Sequence, residues 1–429
     1  MRDFSLNLET ISPLAIRADH APTRAESADY ISGTALAGSL ATLYRLYYQQ
    51  NDTQFEELFL SGQVNFPDLY PATFGSKKMQ EALTAPVYAL PKTAQSCKRF
   101  SGFMPLPDEK KVTKDERHGA RDALLDWAAF ELGNIAQKAG QPIDVTTLLK
   151  SLREHKICPY PGCGKPMDHF AGYYRRSEDG RLATSEAEKR LQTRTGINRD
   201  TGTVQEGILY NRTVFQEHTR FWGRLKVSED LITPLKTFIE EVGLSGLLRV
   251  GTGRTRGMGK VHVNIKPIAA EQHSIETFKK NLETFNNTLK EVALKWFPQS
   301  SYDLALKPFY FAVTLHSPVI IRDPLLRYMG TLASRTLLPD TPEDTITPVY
   351  QAASTKRVTG WNELWGTPRT NEYAIDTGSV FLFASAVALD DGMCQALFKL
   401  EEEGIGERRA EGFGRLRISD PFHLEEKLR

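Results

Sequence analysis

Two stretches of the chain, about 150 residues apart, read almost alike: GTGRTRGMGKVHVNI from Gly251 to Ile265 and GIGERRAEGFGRLRI from Gly404 to Ile418. Each is a Gly- and Arg-rich loop that runs into alternating apolar and polar residues, the period of a strand. An amphipathic, helix-compatible segment comes before each loop. The first is ITPLKTFIEEVG, with Leu235, Phe238, Ile239 and Val242 on one face, and the second is GMCQALFKLEEE. Strand-like FWGRLKV (Phe221 to Val227) and SVFLFASAVA precede these in turn. The openings of the two units also match. LNLETISPLAIR (Leu6 to Arg17) and FAVTLHSPVIIR (Phe311 to Arg322) share a Ser-Pro pair, at Ser12-Pro13 and Ser317-Pro318, with an Arg four residues beyond each Pro. Proline is poorly placed in a central strand, so each pair marks a kink or an edge. An opening strand followed by strand, helix, Gly-rich loop and strand, twice over, predicts an α+β chain of two ferredoxin-like lobes in β-α-β-β-α-β order.

A length of 429 residues exceeds one ordinary core and accommodates this division. We place the first lobe at residues 1–270, a connector at 271–300 and the second lobe at 301–429. Within the connector, Phe278, Leu282, Phe285, Leu289, Val292 and Trp296 recur at steps of four and three, which predicts a packed helix from Ser274 to Trp296. Residues from about 90 to 185 lengthen the first unit and read as an insertion. It carries a helix from Ala120 to about Lys138 and then a Cys-bearing loop. The span from Leu337 to Arg369, rich in Thr, Pro and Asp, reads as a long loop or a partner-binding segment.

Four Cys in 429 residues argue against a disulfide scaffold and for a reducing cytosol. No apolar run approaches the ~18 residues of a membrane span, and MRDFSLNLE has no signal core. A cytoplasmic protein without membrane contact is expected. The net charge of +1 does not by itself mark a nucleic-acid binder. Local charge carries that case.

The first Gly-rich loop holds Arg249, Arg254, Arg256 and Lys260 and no acidic residue. Glycines let backbone amides approach a phosphate, and guanidinium groups add bidentate recognition. The spacing of Gly251, Gly253 and Gly257 is not G-x-G-x-x-G, and a strand follows instead of a helix, so a dinucleotide site is excluded. The alternative is a tight solvated loop. In the second copy Arg408 and Arg409 stand among Glu407 and Glu411. Lys189 to Tyr210 reads as a cationic hairpin in which Arg194, Asn198, Arg199 and Thr201 can lie along a nucleic-acid backbone, or as a charged surface hairpin. Ser32, in ISGTALAGSL, caps a helix whose N-terminus suits a phosphate or merely starts a core element. Arg17, His20 and Arg24 follow the first strand as further contact residues. His20, with Tyr30 nearby, is also a candidate acid or base for RNA cleavage through a 2′-OH. Neither a P-loop nor a G-x-S-x-G motif occurs.

Cys158 and Cys163 flank a Pro/Gly turn, half of a zinc knuckle. Cys97 and His118 complete a structural Zn²⁺ site, with His155 and His169 as alternatives; the bland reading is two free thiols. Cys394 lies on the apolar face of a helix and reads as core.

ISGTALAGSLA, RTGINRDTGTVQEGILY, GTGRTRGMGKV, GWNELWGTPR with IDTGSVFLF, and GIGERRAEGFG resemble, in this order, the RAMP superfamily of CRISPR type III effector proteins. With SCKRF, HGARDALLDW and CPYPGCG in the insertion, the chain is most similar to the Csx-ten (Cas-five-like) family of type III-D complexes. The resemblance implies RRM-type lobes and a non-catalytic, structural subunit. Such a subunit holds the 5′ handle of the guide RNA (crRNA). It contacts the large polymerase-like subunit and the backbone RAMP subunits, and meets target RNA indirectly. The rival implied by the same fold is a Cas-six-type, metal-independent endoribonuclease acting on repeat RNA through His20 or Tyr30.

Overall fold

The computed structural model describes residues 1–18, 26–48, 51–72, 86–105, 117–140, 146, 149–150, 152–153, 156–176, 180–198, 200–268, 274–296, 307–342, 344–362 and 366–425. Its first sheet is antiparallel throughout. In space Val261–Pro267 lies beside Arg2–Thr10, then comes Arg220–Val227, and then the short strands Val64–Asn65 and Tyr70–Pro71. Period-two alternation points Leu6 and Leu8 into the core, with Phe221, Leu225, Val261 and Val263 from the neighbouring strands. The helices Gly33–Tyr47 and Ile232–Ser245 cover that face through Leu36, Leu40, Tyr44, Leu235, Phe238 and Ile239.

The second sheet repeats the arrangement. Leu416–Ile418 lies beside Phe309–Leu315, then Val380–Ser385, then Ile346–Ala352, again all antiparallel. Helix Asp391–Glu403 takes the place of Ile232–Ser245 and buries Cys394 and Leu397 as the sequence indicated. The other helix of the unit has shrunk from 15 residues to the four of Ser334–Leu337. Connector helix Ile275–Trp296 lies across the second sheet, with Phe285, Leu289 and Val292 against Tyr310, Val380 and Leu382.

Two segments depart from expectation. The insertion helix starts at Leu124, not Ala120, because Ala120–Asp122 pairs as a strand with Ala94–Cys97 and the Asp122 carboxylate accepts from the Leu124 N–H. Although it interrupts the first unit, this helix buries Leu125, Ala128, Ala129 and Leu132 in one cluster with the connector helix and the second sheet. The span Leu337–Arg369 is not a long loop: it contains strands Ile346–Ala352, Thr355–Val358, Trp361–Asn362 and Thr367–Pro368. Pro348 is tolerated there because it sits on the edge strand at a shift in register.

In both units the connection between the second and third strands grows into a hairpin. The first is Lys189–Ile197 with Val204–Phe215, and the second is Thr355–Val358 with Glu372–Ile375. Each is tied at its base to the residues just after a Ser-Pro pair, through Leu14 with Phe215 and Val319 with Ile375. No helix among the described residues is long and apolar enough to cross a membrane.

Candidate nucleic-acid interface and metal centre

The two Gly-rich loops are one backbone device built twice. Ser12 Oγ accepts from the Lys260 N–H and Ser317 Oγ from the Arg415 N–H, both at 2.9 Å. Gly259 N–H donates to Pro13 O and Gly414 N–H to Pro318 O; Thr252 N–H donates to Ala15 O and Glu407 N–H to Ile320 O. Each Ser-Pro pair thus ends its strand and turns its polar groups onto the loop of its own unit. Gly259 has φ +78° and a Cβ there would lie 2.2 Å from Val250 O; for Gly414 the values are +84° and 2.0 Å from Ile405 O. Only glycine fits either position. Much of the glycine content is therefore a demand of the backbone itself.

The side chains of the two loops are used in opposite ways. In the first loop, Arg254–Arg256 form one 3₁₀ turn beside the first hairpin. The exposed Arg256 donates to Tyr210 Oη at 2.8 Å, and Arg212 donates to Thr252 Oγ1 at 3.3 Å. Arg194 donates to Gln192 Oε1 at 3.2 Å and Arg249 to Met258 O at 3.3 Å. These partners are neutral, so the guanidinium charges of Arg194, Arg212 and Arg256 remain uncompensated by them. Gln192, Arg194, Tyr210 and Arg212 share one face of the hairpin by register, the face turned toward the loop. Sequence reasoning passed over Arg212, which lies beyond the motif; its alternation with Tyr210 was the available signal. Lys260 is half-buried at the loop's end.

Other expected contacts have local duties. Asn198 Oδ1 accepts from the Asp200 and Thr201 N–H groups at the hairpin tip, and Thr201 Oγ1 bonds Thr203 Oγ1 at 2.8 Å. Arg17 is exposed and its backbone bridges to Ser27. His20, Arg24, Arg199 and His155 lie outside the described residues.

The second loop faces inward. Arg408, in the left-handed region at φ 57°, pairs with Glu372 at 2.5 Å and Glu411 at 2.7 Å, and reaches Thr34 Oγ1 at 3.4 Å. Arg415 donates to Asn65 O of the first lobe, and burial with the neighbouring Arg224 pushes its guanidinium down to about 10. Phe66 N–H donates to Ala410 O, and a Cβ at Gly33 would come within 2.5 Å of Glu411 O. The loop is a plug between the two sheets. Arg408, expected to face RNA, is turned onto carboxylates of its own lobe; Arg409 remains exposed beside Gly404 O. The helix N-terminus that the plug abuts is also taken. Ser32 Oγ accepts from the Ala35 N–H, and Gly33 N–H donates to Asp68, whose carboxyl burial pushes up to about 6. Tyr30 Oη accepts from Lys356 Nζ at 2.8 Å across the same seam.

Cys97, His118, Cys158 and Cys163 converge in the insertion, with their ligand atoms all within 4.8 Å of one another. Cys97 Sγ lies 3.7 Å from Cys163 Sγ, and Cys158 Sγ lies 3.5 Å from His118 Nδ1. A tetrahedral ion with metal–sulfur bonds of about 2.3 Å and a metal–nitrogen bond of about 2.05 Å would set such edges at roughly 3.8 and 3.6 Å. The His118 ring is clamped between Phe100 at 4.3 Å and Tyr160 at 4.0 Å. Burial pushes the Cys158 thiol up to about 11; burial also acts on Cys97, but the Phe100 and Arg99 backbone amides bring that thiol down. His169 stands exposed on strand Met167–His169, outside the cluster. The four residues could hold a metal ion, and all four positions come from protein.

No curated protein matches the sequence. Among solved structures, a chain of a type III-B Cmr-beta complex bound to cognate target RNA and AMPPnP is similar at 12% identity and a TM-score of 0.34, covering 88% of this chain and 86% of that one. Oligomeric Cmr4 from Pyrococcus furiosus is similar at 13% identity and a TM-score of 0.28, covering 63% of this chain and all of that one, 100%. The family assignment rests instead on the sequence: residues 7–262 match the RAMP superfamily. That match runs from within the first strand through the hairpin and the first Gly-rich loop to the start of strand Val261–Pro267, and the chain belongs to the RAMP superfamily.

Proposed function

We propose that this chain is a structural, non-catalytic guide-RNA subunit of a CRISPR type III ribonucleoprotein. In that reading it is a Csx-ten-like protein of two ferredoxin-like lobes that holds the 5′ handle and abuts the large polymerase-like subunit. The observation that carries the reading is the cluster of Arg194, Arg212, Arg254 and Arg256, gathered by the first hairpin and the first Gly-rich loop; the bonds of Arg194, Arg212 and Arg256 are to neutral partners. Guanidinium groups in that state suit phosphate oxygens, and a polyanion supplies them in series. Membership of the RAMP superfamily supports the same direction.

The test is guide-RNA binding by the full chain across a salt series. Arg254→Ala/Arg256→Ala is expected to weaken binding and to flatten the log–log salt slope by roughly 0.7 per lost phosphate contact. An unchanged affinity and slope would remove this loop from the interface. Repeat RNA in the same incubation is expected to stay intact; cleavage abolished by His20→Ala would replace the reading with an endoribonuclease.

The Cys97–His118–Cys158–Cys163 centre is proposed to hold one structural zinc ion, the metal whose thiolate and imidazole preferences fit this donor set. Zinc there would tie strand Ala94–Cys97 to the Cys158–Cys163 turn. Metal analysis should return about one zinc per chain. Chelation should melt the insertion first, whereas a metal-free protein of unaltered stability would dismiss the centre.

A further inference from the structure

The duplication places a second hairpin where the first one stands, and its side chains differ in a telling way. Phe215 and Ile375 occupy equivalent places, each exchanging two backbone hydrogen bonds with the residue after its Ser-Pro pair, Leu14 or Val319. Counting along the ladders from those anchors, the cross-strand pair Leu191–Thr213 of the first hairpin corresponds to Arg357–Tyr373 of the second. Where the first hairpin shows an aliphatic side chain and a hydroxyl, the second shows a guanidinium beside an aromatic ring. Tyr373 is 50% exposed, and Arg357 is exposed with no carboxylate partner among the described residues.

The ring is also held in place. Tyr328 packs edge-on against Tyr373 at 5.8 Å between centroids. Arg322 lies over the Tyr328 ring at 4.8 Å, donates to its hydroxyl at 3.2 Å, and is anchored in turn by Glu372 at 3.2 Å and Glu407 at 3.3 Å. From the Arg322–Tyr328 bridge hangs a tight loop whose tip, Leu325 and Leu326, is 73% exposed at both residues. Asp323 fixes that loop by accepting from the Leu325 and Arg327 N–H groups, both at 2.9 Å, and Leu326 is kept at φ 61°. A bulky side chain held in the left-handed region is strained and persists only where its surroundings impose it.

We infer that Tyr373 and Arg357 form a stacking ledge for the unpaired bases of single-stranded RNA, with Leu325 and Leu326 as an apolar edge where the stack ends. This rests on the RNA-binding reading above and adds a second-lobe contact to it. An aromatic face takes any base, a neighbouring guanidinium adds stacking and phosphate attraction, and apolar side chains part adjacent bases. RNA is favoured over a protein partner because the exposed ring stands across the ladder from an exposed guanidinium that has no carboxylate partner among the described residues, the pairing that suits a base and its phosphate.

The experiment measures binding of a short fluorescein-labelled single-stranded RNA to the full chain by anisotropy at several salt concentrations. Tyr373→Ala is expected to weaken binding about tenfold, within the range of one lost base–aromatic stack. Tyr373→Phe should retain wild-type affinity, since the ring alone is needed. Arg357→Gln should flatten the salt slope by about 0.7. Wild-type affinity in Tyr373→Ala, alongside a loss in Arg254→Ala/Arg256→Ala, would overturn the ledge and leave the broader reading standing. Failure of the wild-type chain to bind RNA would overturn both. Should Tyr373→Ala not fold, a benzophenone side chain at position 373 replaces it: crosslinking to RNA supports the ledge, and crosslinking only to a neighbouring protein in the assembled complex overturns it.

Discussion

The two Gly-rich loops share a backbone and little else. Both brace a Ser-Pro strand end through the same hydrogen bonds, and both contain a glycine that no other residue can replace. Yet the first keeps Arg249 and Arg256 on neutral partners beside a projecting hairpin, while the second turns Arg408 onto Glu372 and Glu411 and lodges between the two sheets. The difference follows from two carboxylates. Glu411 lies within the second loop and Glu372 at the far end of its hairpin's ladder, whereas no acidic residue occurs from Arg249 to Lys260. The scaffold occurs twice, and acidic side chains distinguish the copy that closes against its neighbour from the copy that stays open.

The largest effect should come from the shared part. Gly259→Ala and Gly414→Ala each force a Cβ to within 2.2 Å or less of a carbonyl oxygen at positive φ. Each should lower unfolding stability by more than about 3 kcal/mol in denaturant titrations. Markedly unequal losses would break the claim of a common device. Next comes the part that differs. Arg408→Ala leaves half-buried Glu372 with only Arg322 and Glu411 with only Arg369, and should cost about 2 kcal/mol. Arg256→Ala removes an exposed side chain and should stay within about 0.5 kcal/mol in the same titration. Equal costs would mean that the second loop is no plug.

The smallest effect is a pH response. Burial tends to raise the Glu411 carboxyl, but Arg408 and Arg369 hold it below its usual value. A carboxyl lowered in the folded state lends stability that is fully present above the ordinary carboxylate range and is lost as pH falls through that range. Amides of residues 404–414 should therefore lose exchange protection in acid before those of residues 251–260. Simultaneous loss in both loops would contradict the role given to Glu411.

What the sequence disclosed was what repeats locally. The Ser-Pro pairs, the Gly-rich loops and the heptad-like face from Phe278 to Val292 are short-range patterns, and each marks a real feature of the fold. The Cys/His cluster was legible because ligand chemistry restricts the choice to few residues, and of the alternatives to His118, strand Met167–His169 turns His169 outward. The strands within Leu337–Arg369 were hidden by Thr, Pro and Asp, which mimic loop composition while sheet pairing with Val380–Ser385 overrides it. The pairing of Arg408 was not legible because its partner Glu372 is distant along the chain, and only the fold brings a cation and a carboxylate so placed together. The same holds for the insertion helix, whose apolar face is plain in the sequence but whose partner is not.

That helix has a consequence for the order in which the molecule can be made. Its apolar face is covered, among the described residues, by Ile275–Trp296, the strands up to Val380–Ser385 and Leu424, which leave the ribosome far later. At synthesis rates of about 5–20 residues per second, the face must wait on the order of ten seconds or more. The first sheet is free to close at Val261–Pro267 during that wait, but the polypeptide as a whole cannot reach its final form until nearly all of it has been translated.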